Sequence, residues 1–272
     1  MGKLEPKQHY KLNQKQLALL HLIYRFRFVT TELVAQYQGR KSADIVRPRL
    51  TALAEMGYIG RKYDASYKLQ GKHAAFYLLP DGMRALRRQP REGYEYSQNV
   101  LHNIHKDKDA SDQFIEHNLE ILKAYAKLRT IYGDQLQFFT KSDLAVYEHF
   151  PQPLPDAYLT IEASEGNKQY FLDVHHEARP LFVSARRIKQ YADYADSQQW
   201  ELTETELPEI LALCDSTTMQ LRLQKKLAKN THPKVNFLLT SLQALLQAGS
   251  DARVWQQAND PDNVKSLASV TA

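Results

Sequence analysis

The spacing of apolar residues changes character along this chain, and that change constrains the fold more than any bulk property. Over the first third, apolar side chains recur every three to four residues, the period of helices buried on one face. Leu17, Leu20, Ile23 and Tyr24 mark such a face in Gln14–Phe28. Thr30 or Thr31 can cap a short helix at Glu32–Tyr37 closed by Gly39, and Ser42 is a second capping candidate. Ile45, Leu50, Leu53 and Met56 then predict a third helix ended by Gly57. Pro48 lacks the N–H of a mid-helix residue, so this helix either begins near Val46 or kinks there. Next the composition switches. Tyr58–Tyr63 and Ala74–Leu79 are β-branched or aromatic-rich and flank a polar stretch containing Gly71. Three helices followed by a hairpin is the order of a winged helix-turn-helix.

The remainder alternates. Arg87–Gly93 reads as a hinge. Ser111–Tyr132 is a long amphipathic helix with Ile115, Leu119, Leu122, Ala126 and Leu128 on its apolar side. Short strands are expected at Leu136–Phe139, Ala157–Ile161 and Gln169–His175, the last two joined by the turn Glu165–Gly166–Asn167. Helices at Arg186–Trp200, Thr217–Asn230 and Leu242–Gln247 interleave with strands at Glu209–Leu213 and Val235–Leu239. The fold class is therefore α/β in two domains, the second a mixed sheet flanked by helices. The domains are expected at 10–90 and 98–257, with 258–272 a flexible polar tail.

Charge separates the same two parts. Residues 1–91 hold 18 Lys+Arg against 6 Asp+Glu, a net of +12, and residues 92–272 carry a net of −7 within an overall +5. A basic module fused to an acidic one suits a nucleic-acid reader attached to a second function. The third helix would read the major groove. Arg47, Arg49 and Thr51, with Ser42 ahead of them, are its contact candidates, since arginine can grip guanine O6 and N7 or a phosphate. Arg61, Lys62, Lys68 and Lys72 of the hairpin suit phosphate contact. The partner expected is double-stranded DNA.

Other classes are excluded or disfavoured. Hydrophobic residues are 43% and charged residues 25%, so the chain is not predominantly disordered. No apolar run is long enough to span a membrane, and Met1–Lys15 lacks the apolar stretch of a secretion signal. A lone cysteine, Cys214, excludes a disulfide framework and is most simply a core residue. A cytoplasmic protein is expected. His102 and His105 form an H-x-x-H pair without the residues that usually complete a zinc site. Tyr191 and Tyr194 are nucleophile candidates by residue type, but such tyrosines more often pack or stack.

Two acids stand out by context. Asp156 follows Pro155 at the mouth of one strand, and Asp173 lies near the end of the next. On a hairpin their carboxylates could converge and share Mg²⁺ or Mn²⁺, or they could simply end strands and face solvent.

Pro155–Asp156, then Asp173–Val174–His175 and a helix with basic and aromatic residues, resembles the PD-(D/E)XK restriction-endonuclease-like fold. With a winged helix ahead of it, and with Val235–Leu246 followed by Trp255 at its end, residues 12–256 resemble the replication-relaxation family. That family includes the C-class mobilisation relaxases of plasmids. The resemblance implies that Asp156 and Asp173 are the metal-binding acids. The family's lysine position falls on His175, a departure that Lys189 in the following helix could make good. Glu177 could supply a third ligand or a base, and Glu116 or Glu120 could complete the metal shell. What it implies is metal-dependent DNA nicking in plasmid mobilisation or replication. The alternative is a regulator or accessory factor that binds DNA, with a degenerate nuclease domain used to dimerise or to hold another mobilisation or replication protein.

Overall fold

The computed structural model describes residues 12–164, 166–229 and 232–268. They form two compact units, Met1–Ser111 and Asp112–Ala272. None of the described helices is long and apolar enough to cross a membrane.

In the first unit, α1 (Gln14–Phe26) starts in a reciprocal capping box between Asn13 and Gln16. It is followed by β1 (Phe28–Val29) and α2 (Thr31–Tyr37), and Thr30 caps α2 by accepting from the Leu33 N–H at 3.2 Å. Helix α3 (Val46–Glu55) begins where Pro48 falls in the first turn, whose N–H groups have no helical acceptor anyway. Ser42 does not cap it. Its hydroxyl donates to Asp44 at 2.6 Å, and the N-cap residue Ile45 has no side-chain bond. Strands β2 (Ile59–Lys62) and β3 (Ala75–Leu78) flank a short helix α4 (Ala65–Leu69) and pair antiparallel. Strand β1 adds to the other side of β3, so the sheet order is β1-β3-β2.

The expected hinge is not a boundary. Helix α5 (Pro80–Arg88) and α6 (Gln98–Asn103) belong to this unit, as does the 3-10 segment Ile104–Asp109. Tyr94 and Tyr96 meet His21 and Tyr24 edge-on, and the Ser97 N–H donates to Tyr24 Oη at 3.0 Å. Arg27 forks onto the buried Asp107 carboxylate. These long-range bonds, invisible to local patterning, carry the unit to Ser111.

In the second unit, α7 (Asp112–Tyr132) buries Ile115, Leu119, Leu122, Ala126 and Leu128 as its spacing predicts. Then come β4 (Leu136–Thr140), α8 (Lys141–Leu144), β5 (Ala157–Ile161) and β6 (Lys168–His175). Of the turn expected between β5 and β6, Glu165 lies outside the described residues. Helix α9 (Leu181–Asp196), β7 (Glu209–Cys214), α10 (Thr217–Leu227), β8 (Phe237–Ser241) and α11 (Leu242–Gln247) follow. With β9 (Trp255–Gln257) and β10 (Asp260–Lys265), the sheet among the described residues has seven strands in the order β10-β9-β8-β7-β6-β5-β4. Strands β6, β7 and β8 run parallel, as helical crossovers require, and the outer pairs are antiparallel. This is the mixed sheet with flanking helices that the sequence predicts.

The tail differs from expectation. Strands β9 (Trp255–Gln257) and β10 (Asp260–Lys265) complete the sheet. Beyond them Tyr170 Oη donates to the Leu267 carbonyl at 2.6 Å, and the Leu267 N–H donates to Tyr132 Oη at 3.2 Å. A polar segment is ordered here because its backbone closes a sheet edge and buries Leu267 and Ala268.

Gly82 tests the packing of the first unit. A Cβ there would lie 2.3 Å from the Tyr58 carbonyl oxygen. Alanine is ordinarily the better helix former by about 1 kcal/mol. Gly82→Ala should nonetheless destabilise the protein, by about 1–3 kcal/mol of overpacking. Denaturant unfolding measures this, and a gain in stability would contradict the close approach.

Candidate functional site

Two places gather chemistry. The first is a groove of about 730 Å³ in the first unit, between α3 and the β2–β3 hairpin. Arg47, Thr51, Arg61 and Lys72 all line it, so four of the expected DNA contacts converge. Arg61 lies over the Tyr63 ring at 4.9 Å, and Lys72 lies 5.6 Å from the centre of the Tyr67 ring. The other candidates are elsewhere. Lys62 alternates to the other side of β2 and donates to the Ala110 carbonyl. Ser42 is bound to Asp44, and Arg49 is half-buried and does not line the groove. The Lys68 side chain lies outside those described. Several groove residues are not among the contacts expected from the sequence, Glu32 and His73 among them. Glu32 reaches Arg47 at 4.0 Å and His73 at 3.3 Å, placing a carboxylate within a basic surface.

The second place lies in the other unit, where β6 ends and β5 begins. Ala157 pairs with Leu172, so the antiparallel register carries Asp156 opposite Asp173. Both carboxylates are buried, at 8% and 5% exposure. The Asp156 N–H donates to Asp173 Oδ1 at 3.2 Å, and the Val174 N–H donates to Asp156 Oδ2 at 2.9 Å. The register thus sets the two acids opposite each other, and each is engaged by a different helix.

Asp173 is held by α9. Arg187 donates Nε to Oδ2 at 2.7 Å and Nη2 to Oδ1 at 3.3 Å, and the Tyr191 hydroxyl adds a bond to Oδ2 at 2.7 Å. Arg187 also donates to the Pro153 carbonyl at 2.6 Å and lies over the Tyr191 ring at 4.3 Å. Burial alone would lower the Arg187 pKa, but Asp173 and Tyr191 outweigh it and hold the guanidinium charged. Burial, reinforced by Asp173, pushes the Tyr191 hydroxyl far up, so it stays protonated and donates to Asp173. Burial also lifts Tyr194 to about 12, and its hydroxyl is bound to the His149 carbonyl.

Asp156 is held by α7. His117 Nε2 lies 3.0 Å from Asp156 Oδ1, and His117 Nδ1 lies 2.8 Å from His176 Nε2. His176 Nδ1 faces Glu120 at 3.5 Å and Asp215 at 3.6 Å. His117 and Glu120 share a helix face by their spacing, and His176 and Asp215 follow the ends of the adjacent strands β6 and β7. Burial raises the Asp156 pKa, yet His117, Lys141 and the Val174 N–H together hold it below the usual carboxylate range. Burial, with His117 and Arg179 adding to it, pushes His176 down to about 4. Burial lifts Glu120 to about 7. Glu120 Oε2 accepts no hydrogen bond among the described residues.

The remaining candidates separate from the acid pair. His175 Nδ1 is 3.0 Å from Ser184 Oγ, and burial lowers its pKa against the pull of both acids. Glu177 accepts from Ser216 at 2.6 Å beside Arg222. Glu116 pairs with Lys123 at 2.8 Å. Lys189 does not reach back. Its ammonium pairs with Asp193 at 2.7 Å on the exposed side of α9. The cations beside the acids are instead Arg187 and Lys141, the latter 4.0 Å from Asp156 and half-exposed. Lys141 follows β4, about fifteen residues before the acid it meets, a pairing made by β4–β5 register that no local spacing discloses. Cys214 is buried and its thiol is pushed up to about 12 by burial.

The residues present do not fit an ion shared by Asp156 and Asp173. Both Asp173 oxygens are taken by guanidinium, hydroxyl and amide donors, and Asp156 is taken by an imidazole and an amide. Among the described residues no three His, Cys, Asp or Glu side chains are placed to hold a metal ion.

The profile of the family described as Replication-relaxation matches residues 20–210, more than half of the chain. No curated protein matches the sequence. Two solved structures of the restriction endonuclease FokI, one bound to DNA, are similar at 12% and 10% identity with TM-scores of 0.35 and 0.32. Each match covers 88% of this chain and 44% of the FokI chain, so the chain spans less than half of that enzyme's length.

Two outcomes test the site. Arg187→Ala leaves Asp173 buried without its cation and should cost about 3–5 kcal/mol of stability, read by denaturant unfolding. Glu120 gives a pH signature. Its folded pKa is raised from 4.5 to about 7, so its contribution is fully present below pH 4.5 and is lost as pH rises to about 7. Glu120→Gln should flatten that decline, and an unchanged stability–pH curve would contradict the burial argument.

Proposed function

This chain belongs to the replication-relaxation family, and we propose that it binds duplex DNA through the α3–hairpin groove as a replication or mobilisation accessory factor. In this reading the first unit works as a winged helix. The observation that carries it is the convergence of Arg47, Thr51, Arg61 and Lys72 on one groove of the +12 segment. Arg47 and Thr51 stand on the helix that would enter the major groove, and Arg61 and Lys72 would meet the backbone beside it. The second unit keeps the acid positions of a nuclease-like core, with Asp173 neutralised by Arg187 in place of a metal. Such a core offers a rigid platform for another replication or mobilisation protein.

The second reading is metal-dependent nicking. Two observations favour it: Asp156 and Asp173 sit opposite each other, and Lys141 stands beside Asp156 in the lysine's stead. It requires Arg187 to release Asp173 when DNA and Mg²⁺ or Mn²⁺ are bound. Supercoiled plasmid carrying the cognate region separates the two. The proposed reading expects it to stay supercoiled with either metal. Nicking that Asp173→Ala abolishes would establish the second reading instead.

Binding has its own signature. Each phosphate contact removed should reduce the slope of log affinity against log salt by about 0.9. Arg61→Ala with Lys72→Ala should weaken binding to every duplex alike. Arg47→Ala should relax preference at particular bases, by about 1–3 kcal/mol. Lys62→Ala should leave binding unchanged, since Lys62 is spent on Ala110. Equal effects of all four changes would show the groove to be misassigned.

A further inference from the structure

The outer face of α3 carries a carboxylate that the helix itself does not explain. Val46, Leu50 and Leu53 are its buried side. Arg47, Thr51 and Glu55 are exposed, follow one another at intervals of four residues, and all line the groove. Glu55 is the last residue of α3, where the carbonyl end of the helix disfavours negative charge. Among the described residues it has no ion pair and no side-chain hydrogen bond, although Arg61 and Lys72 line the same groove. Glu32, the other acid of the groove, is answered by Arg47 and His73. Arg47, Arg61 and Lys72 therefore face the carboxylates of Glu32 and Glu55 across one lining. A surface that only held phosphates would gain nothing from an unpaired acid.

We propose that Glu55 is a base-reading residue that selects cytosine, accepting from its N4 amino group in the major groove, while Arg47 at the other end of the stripe meets guanine. The inference deepens the duplex-binding reading above and rests on it. Charge does the selecting. An ionised carboxylate only accepts, so it is repelled by phosphate, by guanine O6 and N7, and by thymine O4. Cytosine and adenine alone present an amino group in the major groove. In adenine the N7 acceptor stands beside that group and repels the second carboxylate oxygen, whereas in cytosine the neighbouring ring position carries a C–H. Cytosine is therefore the base that meets Glu55 without repulsion. Glu55 lies two helical turns beyond Arg47, about 12 Å along the axis, which places the two bases about three to four steps apart. A wrong base leaves the desolvated carboxylate unanswered, so Glu55 acts through discrimination, and the three cations supply the attraction.

The experiment equilibrates the full chain with duplexes randomised over about twelve base pairs and sequences the bound fraction. Wild type should enrich a cytosine about three to four steps from the position that Arg47→Ala relaxes. It should favour cytosine there over guanine or thymine by roughly 5- to 150-fold. Glu55→Gln should move that preference to adenine, because a side-chain amide donates to N7 and accepts from N6. Glu55→Ala should flatten that position alone and strengthen binding to unselected duplex, since a repelling charge is gone. Circular dichroism checks that these surface variants fold. A base profile unchanged in Glu55→Gln and Glu55→Ala, with the Arg47 position still relaxed by Arg47→Ala, would overturn this inference alone. Tighter binding by both Glu55 variants with no change of base preference would do the same, leaving Glu55 as a charge that repels phosphate. Absence of duplex binding by the wild type would overturn it together with the reading it rests on.

Discussion

The ion pair between Asp173 and Arg187 organises the second unit. It joins the C-terminal half of a central strand to the helix that crosses over from it, and it does so with low exposure on both partners. A carboxylate at this depth is tolerable only if its charge and its lone pairs are answered. Here guanidinium, phenol and a neighbouring amide answer them, and the guanidinium in turn reaches the loop carbonyl of Pro153. One residue thereby links the loop before β5, the end of β6 and the middle of α9. The orientation of α9 then decides which side chains face the sheet and which face outward.

Beside it runs a second, partly buried network of different character. Asp156, His117, His176, Glu120 and Asp215 form a connected row of titratable groups, anchored at its two ends by the Val174 and Glu177 amides. Burial and neighbours together separate their behaviour: His117 and Lys141 hold Asp156 anionic against its burial, burial keeps His176 neutral, and burial lifts Glu120 to about 7. Neighbouring acids in one strand pair thus have different surroundings, one saturated by arginine and the other linked to imidazoles.

The first unit shows how a basic surface is assembled from residues far apart in the chain. Arg47 from α3, and Arg61 and Lys72 from the hairpin, meet because β2 and β3 fold back onto α3. Glu32 from α2 enters the same groove and lies against Arg47 and His73. Within-unit packing also rotates Lys62 away, although it neighbours Arg61, because successive strand residues point to opposite faces.

Helical and strand periods, caps and charge were legible from residues alone. Thr30 caps α2, Pro48 marks the start of α3, and Ala157–Ile161 is a strand, each for local steric or hydrogen-bonding reasons. The opposition of Asp156 and Asp173 was legible too, because a hairpin's register follows from its own two strands. What surrounds those acids was not. His117 and Arg187 reach them from helices on separate elements, Lys141 arrives by strand pairing, and residues 94–111 and 258–268 are ordered by distant partners. Local sequence determines which way a segment's own side chains point. Only tertiary packing decides which foreign groups they meet, and for a buried charge those neighbours set its ionisation and its chemistry.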